Sequence, residues 1–241
     1  MRTLKLPLVI ALLATLALMA SAANIPLPAW AFTGGGLGTW SGSSAGSNQV
    51  GLSALRNSSG SGSVSAYATS TNDILIVTTN TIYLLTTVGK VSGPGSGSMG
   101  LLVNGVGVAG IPILSTGNNV SPSLYTTSFT TSGAGDSRVG LPLRAQFSAD
   151  AYLAGGGAFC TYTNITLTTS VVIPQLFLQR TNTTQFRLSW STNFSWYALE
   201  SSPDNQSSWI SVTNAVGNEG TNRVVVVNAD SAKQFFRLRQ P

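Results

Sequence analysis

The 241-residue sequence has no histidine, a single cysteine and few charges, with 12 Lys and Arg against 7 Asp and Glu. Without histidine there is no Ser-His-Asp or Cys-His relay, no imidazole general base and no His-containing zinc site. The lone Cys160 excludes intramolecular disulfides and thiolate clusters. Its expected role is that of a small buried apolar residue. Carboxylates are equally scarce: up to residue 171 they are Asp73, Asp136 and Asp150, with no glutamate. Glycoside hydrolysis generally needs two acids across the bond being cut, so no catalytic pair is expected. Also missing is any sustained apolar 3.6-residue period after residue 24, which argues against helices.

The chain opens with Met1-Arg2-Thr3-Leu4-Lys5, an apolar run from Leu6 to Ala20, and then Ser21-Ala22-Ala23. This basic, apolar, small-residue order reads as a secretory signal peptide over residues 1–23, cleaved after Ala22 or Ala23. The apolar run is short of the roughly 20 residues of a membrane span, so no transmembrane segment is expected after cleavage. Losing Arg2 and Lys5 lowers the basic residues from 12 to 10 and the net charge from +5 to +3. So small and scattered a charge points to neither nucleic acid nor an anionic membrane. A secreted or cell-surface location is expected.

About 218 residues then remain, rich in Ser, Thr, Asn and Gly at the positions where Lys and Glu usually sit. Those residues serve strands and turns, so an all-β protein is expected. In residues 24–170 strands are expected near 28–33, 48–55, 62–70, 73–78, 81–89, 98–104, 106–114, 123–131, 141–149 and 158–168, separated by Gly-, Asn- and Pro-rich turns. So many short strands suit a jelly-roll β-sandwich. Along 159–167, Phe159, Ile165 and Leu167 alternate with Cys160, Tyr162, Asn164 and Thr166, which places the first set in the core. After a linker at 171–176 the composition shifts. A second module, 177–241, has expected strands at 184–190, 195–201, 208–213, 222–228 and 234–239 with Trp190, Trp196, Tyr197, Trp209, Phe235 and Phe236 as anchors. Its arginines are expected on exposed strand faces.

In that module Phe186-Arg187-Leu188-Ser189-Trp190, Tyr197-Ala198-Leu199-Glu200-Ser201-Ser202, Ser208-Trp209-Ile210 and Gln234-Phe235-Phe236-Arg237-Leu238-Arg239 follow one another to the end of the chain. The pattern resembles a carboxy-terminal β module of secreted proteins from environmental bacteria. The resemblance implies a small fibronectin type III or immunoglobulin-like sandwich with an accessory, packing or display role. In the first domain, Thr81 to Gly89, Gly140 to Arg144 and Tyr162 to Leu167 are similar to strands of galactose-binding-like jelly rolls. That group includes carbohydrate-binding modules and the calcium-dependent Stig cyclases. Thr163 stands where the group has an aspartate, and the acid of its amino-terminal strand is missing. The group's calcium site and cyclase chemistry are therefore not carried over.

Two motif matches are read as loops. Gly42-Ser43-Ser44-Ala45-Gly46 fits G-x-S-x-G but has no histidine to serve it, and Gly105 to Gly110 fits G-x-G-x-x-G but runs into Ile111-Pro112 rather than a helix. Asp136 and Asp150 are expected in turns, bonding to nearby backbone. The alternative is that the two meet at one end of the sandwich and hold Ca2+ with loop carbonyls; no other cofactor is expected. For carbohydrate, the candidate residues are Trp40, Tyr152, Tyr162 and Asn164, because sugars stack on exposed rings and are read by neutral amides and hydroxyls. The main expectation is a non-catalytic structural or adhesive protein whose low-charge surface packs against copies of itself or an extracellular matrix. The alternative is binding of a neutral polysaccharide, and the third reading a calcium-dependent cyclase-like enzyme.

Overall fold

The computed structural model describes residues 22–57, 62–114, 121–133, 135–153, 156–203, 208–228 and 234–239. Apart from Ala22 and Ala23, the expected signal peptide lies outside them. The described chain divides into two compact units, one ending at Val171 and the other beginning at Val172.

In the first unit the strands are β1 (Ala23–Ile25), β2 (Trp30–Gly36), β3 (Gly38–Ser44), β4 (Val50–Arg56), β5 (Val64–Ser70), β6 (Leu75–Ile76), β7 (Thr81–Ser92), β8 (Gly95–Val103), β9 (Val106–Leu114), β10 (Ser123–Thr130), β11 (Pro142–Ala151) and β12 (Gly157–Val171). One sheet has the order β10-β7-β12-β4-β3 with β1 beside β12; the other runs β2-β5-β11-β8-β9 with β6 beside β11. All the pairings are antiparallel, and the chain repeatedly changes sheet, which makes an all-β sandwich. Alternation in each strand builds the core: Val64, Ala66 and Ala68 of β5, Ala145, Phe147 and Ala149 of β11, and Tyr83, Leu85 and Val91 of β7 are buried. Across the sheets the Phe147 and Tyr162 rings lie 4.6 Å apart, and the Tyr162 hydroxyl donates to the Ser148 carbonyl at 2.5 Å. Asn104-Gly105 forms a two-residue hairpin, with φ of 49° and 77° between paired Val103 and Val106. The G-x-G-x-x-G string is thus part of a β-hairpin.

Two expectations are corrected here. The segment Gly42-Ser43-Ser44 belongs to strand β3 rather than to a loop. Its weak intrinsic preference is overridden by pairing with β4 and by packing, because the Phe32 ring lies where a side chain at Gly42 would stand and the Trp40 ring does the same at Gly34. The face assignment along β12 is also wrong for its first half. The pairing with β7 shifts between Thr163 and Thr166, where Asn164 takes a φ of 52°, so the strand turns over by one residue. Cys160 and Tyr162 therefore face the core before the bulge, Ile165 and Leu167 face it after, and Phe159 is 49% exposed.

The second unit contains β13 (Phe177–Arg180), β14 (Gln185–Ser191), β15 (Ala198–Ser202), β16 (Ile210–Ser211), β17 (Gly217–Glu219), β18 (Asn222–Asn228) and β19 (Phe235–Arg239). They form sheets of order β13-β14-β18-β17 and β16-β15-β19 around Phe186, Leu188, Trp190, Leu199, Val225, Val227 and Phe236. Trp196 and Tyr197 lie outside the strands, after a 3₁₀ turn at Thr192–Phe194. Trp209 lies under the Arg237 guanidinium, 4.2 Å away. Arg187 pairs with Glu219, while Arg237 and Arg239 both pair with the buried Glu200. Burial opposes the charge of Glu200, yet the hydrogen bonds from these two arginines outweigh it and hold the carboxyl below its usual value.

Candidate functional site

The sequence-derived candidates do not converge. Tyr162 has no exposed surface, so its ring is a core residue and no platform for a sugar. Asn164 is exposed at the β12 bulge, on the other sheet from Asp150. Trp40 is 39% exposed on edge strand β3, with its ring over Gly34 of β2. Tyr152 is 47% exposed just past the end of β11, and its carbonyl accepts a hydrogen bond from the guanidinium of buried Arg56.

Asp136 and Asp150 lie at opposite ends of the sandwich. Asp136 sits in the loop before β11, whereas Asp150 is on β11, eight residues beyond Pro142; at roughly 3.3 Å per residue this is on the order of 26 Å of strand. The side chain of Asp136 is taken up by Arg138 in a 2.7 Å ion pair and by the backbone N–H groups of Ser132 and Arg138. Hydrogen bonding from Arg138 is the largest influence and, against the cost of burial, holds the carboxyl well below the usual carboxylate range. The expected joint Ca2+ site is thus corrected, since the two carboxylates cannot share one ion. Among the described residues no three His, Cys, Asp or Glu groups gather as a metal site. Burial pushes the Cys160 thiol up to about 12, which leaves it without thiolate character.

What the fold does assemble is a polar patch on the outer face of the sheet β2-β5-β11-β8. Inward alanines at 66, 68, 145 and 149 turn the alternate residues of β5 and β11 outward. Register then sets Thr33, Tyr67, Ser148 and Ser98 abreast, with Gly35, Ser65, Asp150 and Ser96 in the next row. Ser65 Oγ donates to Asp150 Oδ1 at 2.5 Å, Ser148 Oγ donates to Oδ2 at 2.8 Å, and Ser98 Oγ lies 2.8 Å from Ser148 Oγ. One strand step away, Gln146 Nε2 donates to Thr69 Oγ1 at 3.0 Å. Tyr67 is half-buried in the middle of this set, and no atom stands within 4 Å of where a side chain at Gly35 would begin. The arrangement offers one ring, an oriented carboxylate with lone pairs to spare, and the half-buried hydroxyls of Ser65 and Ser98, while Ser148, 4% exposed, serves to orient Asp150. Tyr67, Ser65, Ser98, Ser148 and Gln146 were not singled out from sequence. The outward alternation of Ser65, Tyr67 and Thr69 is visible there, but the neighbouring strands are not.

No known protein family and no curated protein matches the chain. Among solved structures, a Stig cyclase from Fischerella sp. TAU is similar at 16% identity and a TM-score of 0.39, over 64% of this chain and all of that one. The enzymatically active domain of bacteriophage CBA120 tailspike protein 4 is similar at 16% identity and a TM-score of 0.32, over 59% of this chain and 19% of that one. The amino-terminal CBM22 tandem domain of Paenibacillus barcinonensis Xyn10C is similar at 9% identity and a TM-score of 0.31, over 92% and 90% of the two chains. The main expectation of a non-catalytic structural or adhesive protein is corrected at this point. The first solved structures similar to the chain are cyclases, and that expectation is withdrawn. Likeness at this level assigns no activity to the chain. No helix among the described residues is long and apolar enough to cross a membrane.

Proposed function

We propose that this is an exported protein whose first sandwich binds a neutral polysaccharide on the face around Tyr67. The observation that carries the reading is the Ser65, Asp150, Ser148 and Ser98 network in register with Tyr67 on the outer face of the sheet, where Ser148 itself is buried and the other three are half-buried. A sugar presents an apolar C–H face to an aromatic ring and hydroxyls at its edge, and Asp150 retains acceptor sites for such hydroxyls. Tyr152, two residues beyond Asp150, extends the proposed surface at that end.

The test is binding to a panel of soluble neutral polysaccharides by calorimetry, with Tyr67→Ala and Asp150→Asn as variants. Each variant should weaken the best ligand at least about tenfold, equivalent to ~1.4 kcal/mol, without loss of folding. Absence of binding across the panel, or unchanged affinity in Tyr67→Ala, removes the proposal. A calcium-dependent rise in Tm without glycan binding would favour the cyclase-like reading instead.

A further inference from the structure

The second unit carries a pocket of about 260 Å³ that the Tyr67 face does not account for. It is lined from both sheets of the unit: Ser201 of β15 and Ser211 of β16 belong to one, Asn228 of β18 to the other, and Thr213, Asn214 and Gln234 complete the polar wall. Val227, 4% exposed, and half-buried Val212 also line it, but its accessible surface is almost wholly polar. Among the described residues every one that lines it is neutral, and the six polar ones carry only hydroxyls and carboxamides. The nearest carboxylate along β15 is that of Glu200. Alternation turns it to the opposite face from Leu199 and Ser201, where Arg237 and Arg239 hold it.

Two of the amides are oriented by their own bonds. Asn214 Nδ2 donates to the Val226 carbonyl at 2.9 Å, which leaves the Asn214 Oδ1 as an acceptor. Asn228 Oδ1 accepts from Gln185 Nε2 at 3.3 Å, which leaves the Asn228 Nδ2 as a donor. Oriented donors and acceptors on so polar a wall suit a small molecule that carries several hydroxyls. The volume is below the roughly 300–1,000 Å³ typical of drug-sized ligands, so the occupant is one small ring rather than a chain. A charged ligand would give up hydration with no opposite charge among the described lining residues.

We propose that this pocket is a second binding site, selective for a single neutral hydroxylated ring such as one monosaccharide unit. It stands independently of the Tyr67 face. The test is amide NMR of the isotope-labelled full chain, titrated with methyl glucoside, methyl galactoside and N-acetylglucosamine, with glucuronate and glucosamine as charged probes. The side-chain amide signals of Asn214 and Asn228 should move with at least one neutral probe, and the charged probes should bind at least about tenfold more weakly. Thr213→Trp, which fills the pocket, should weaken that response at least about tenfold, and Tyr67→Ala should leave it intact. If Thr213→Trp does not fold, Asn228→Ala serves, with the Asn214 signal as readout and the same expected loss. No movement with any neutral probe up to about 50 mM, equal response to the charged probes, or full response in the folded pocket variant overturns the proposal.

Discussion

Asn164 shows how one residue can redirect a strand. Its φ of 52° lies in the left-handed region, which asparagine tolerates and β-branched residues do not. The turnover it allows puts both Tyr162 and Leu167 in the core, although simple alternation assigns them to opposite faces. Asn164→Val should therefore lower stability by at least about 1–2 kcal/mol, while Asn164→Gly should be close to neutral. Urea denaturation of the two variants checks this, and equal midpoints would show that the bulge does not depend on the left-handed residue. Alternation alone could not reveal it, because Asn164 is also an ordinary exposed strand residue.

At the scale of an element, the loop between β10 and β11 is organised by one ion pair. Asp136 accepts from the Ser132 and Arg138 N–H groups and from the Arg138 guanidinium, which also donates to the Thr130 carbonyl and covers the Phe129 ring at 5.2 Å. The Asp136 carboxyl is depressed in the folded state, so its contribution is fully present above the unfolded value of roughly 3.9 and fades as pH falls toward the folded value. Glu200 acts in the same direction in the other unit. Tm should be steady from neutral pH down to about 4 and fall below it. Asp136→Asn should cost about 1–2 kcal/mol at neutral pH and flatten the acid-side slope. Parallel Tm-against-pH curves for parent and variant would exclude this role. The backbone-bonding character of Asp136 is legible as a turn residue; the grip of Arg138, two residues on, needs the loop's actual path.

For the whole molecule, each unit has its own cluster of buried residues, one extending from Trp30 to Leu167 and one from Phe186 to Phe236. A smaller unit is expected to bury a smaller share of its surface and to depend on large rings, and here Trp190 is 1% exposed. Calorimetry should resolve two transitions, and Trp190→Ala should lower only the earlier one, by about 3–5 kcal/mol. A single transition that moves as a whole would mean that the units unfold together. The sequence by itself determined the all-β class and the want of a histidine- or disulfide-based chemistry, because composition and alternation are local properties that each strand carries alone. Only the tertiary structure brings the residues of the proposed sites together. Ser65, Tyr67, Ser98, Ser148 and Asp150 come from three strands, and the polar pocket of the second unit draws on both of its sheets. Side chains so far apart in the chain meet through strand order and register, which the period of any one strand does not encode.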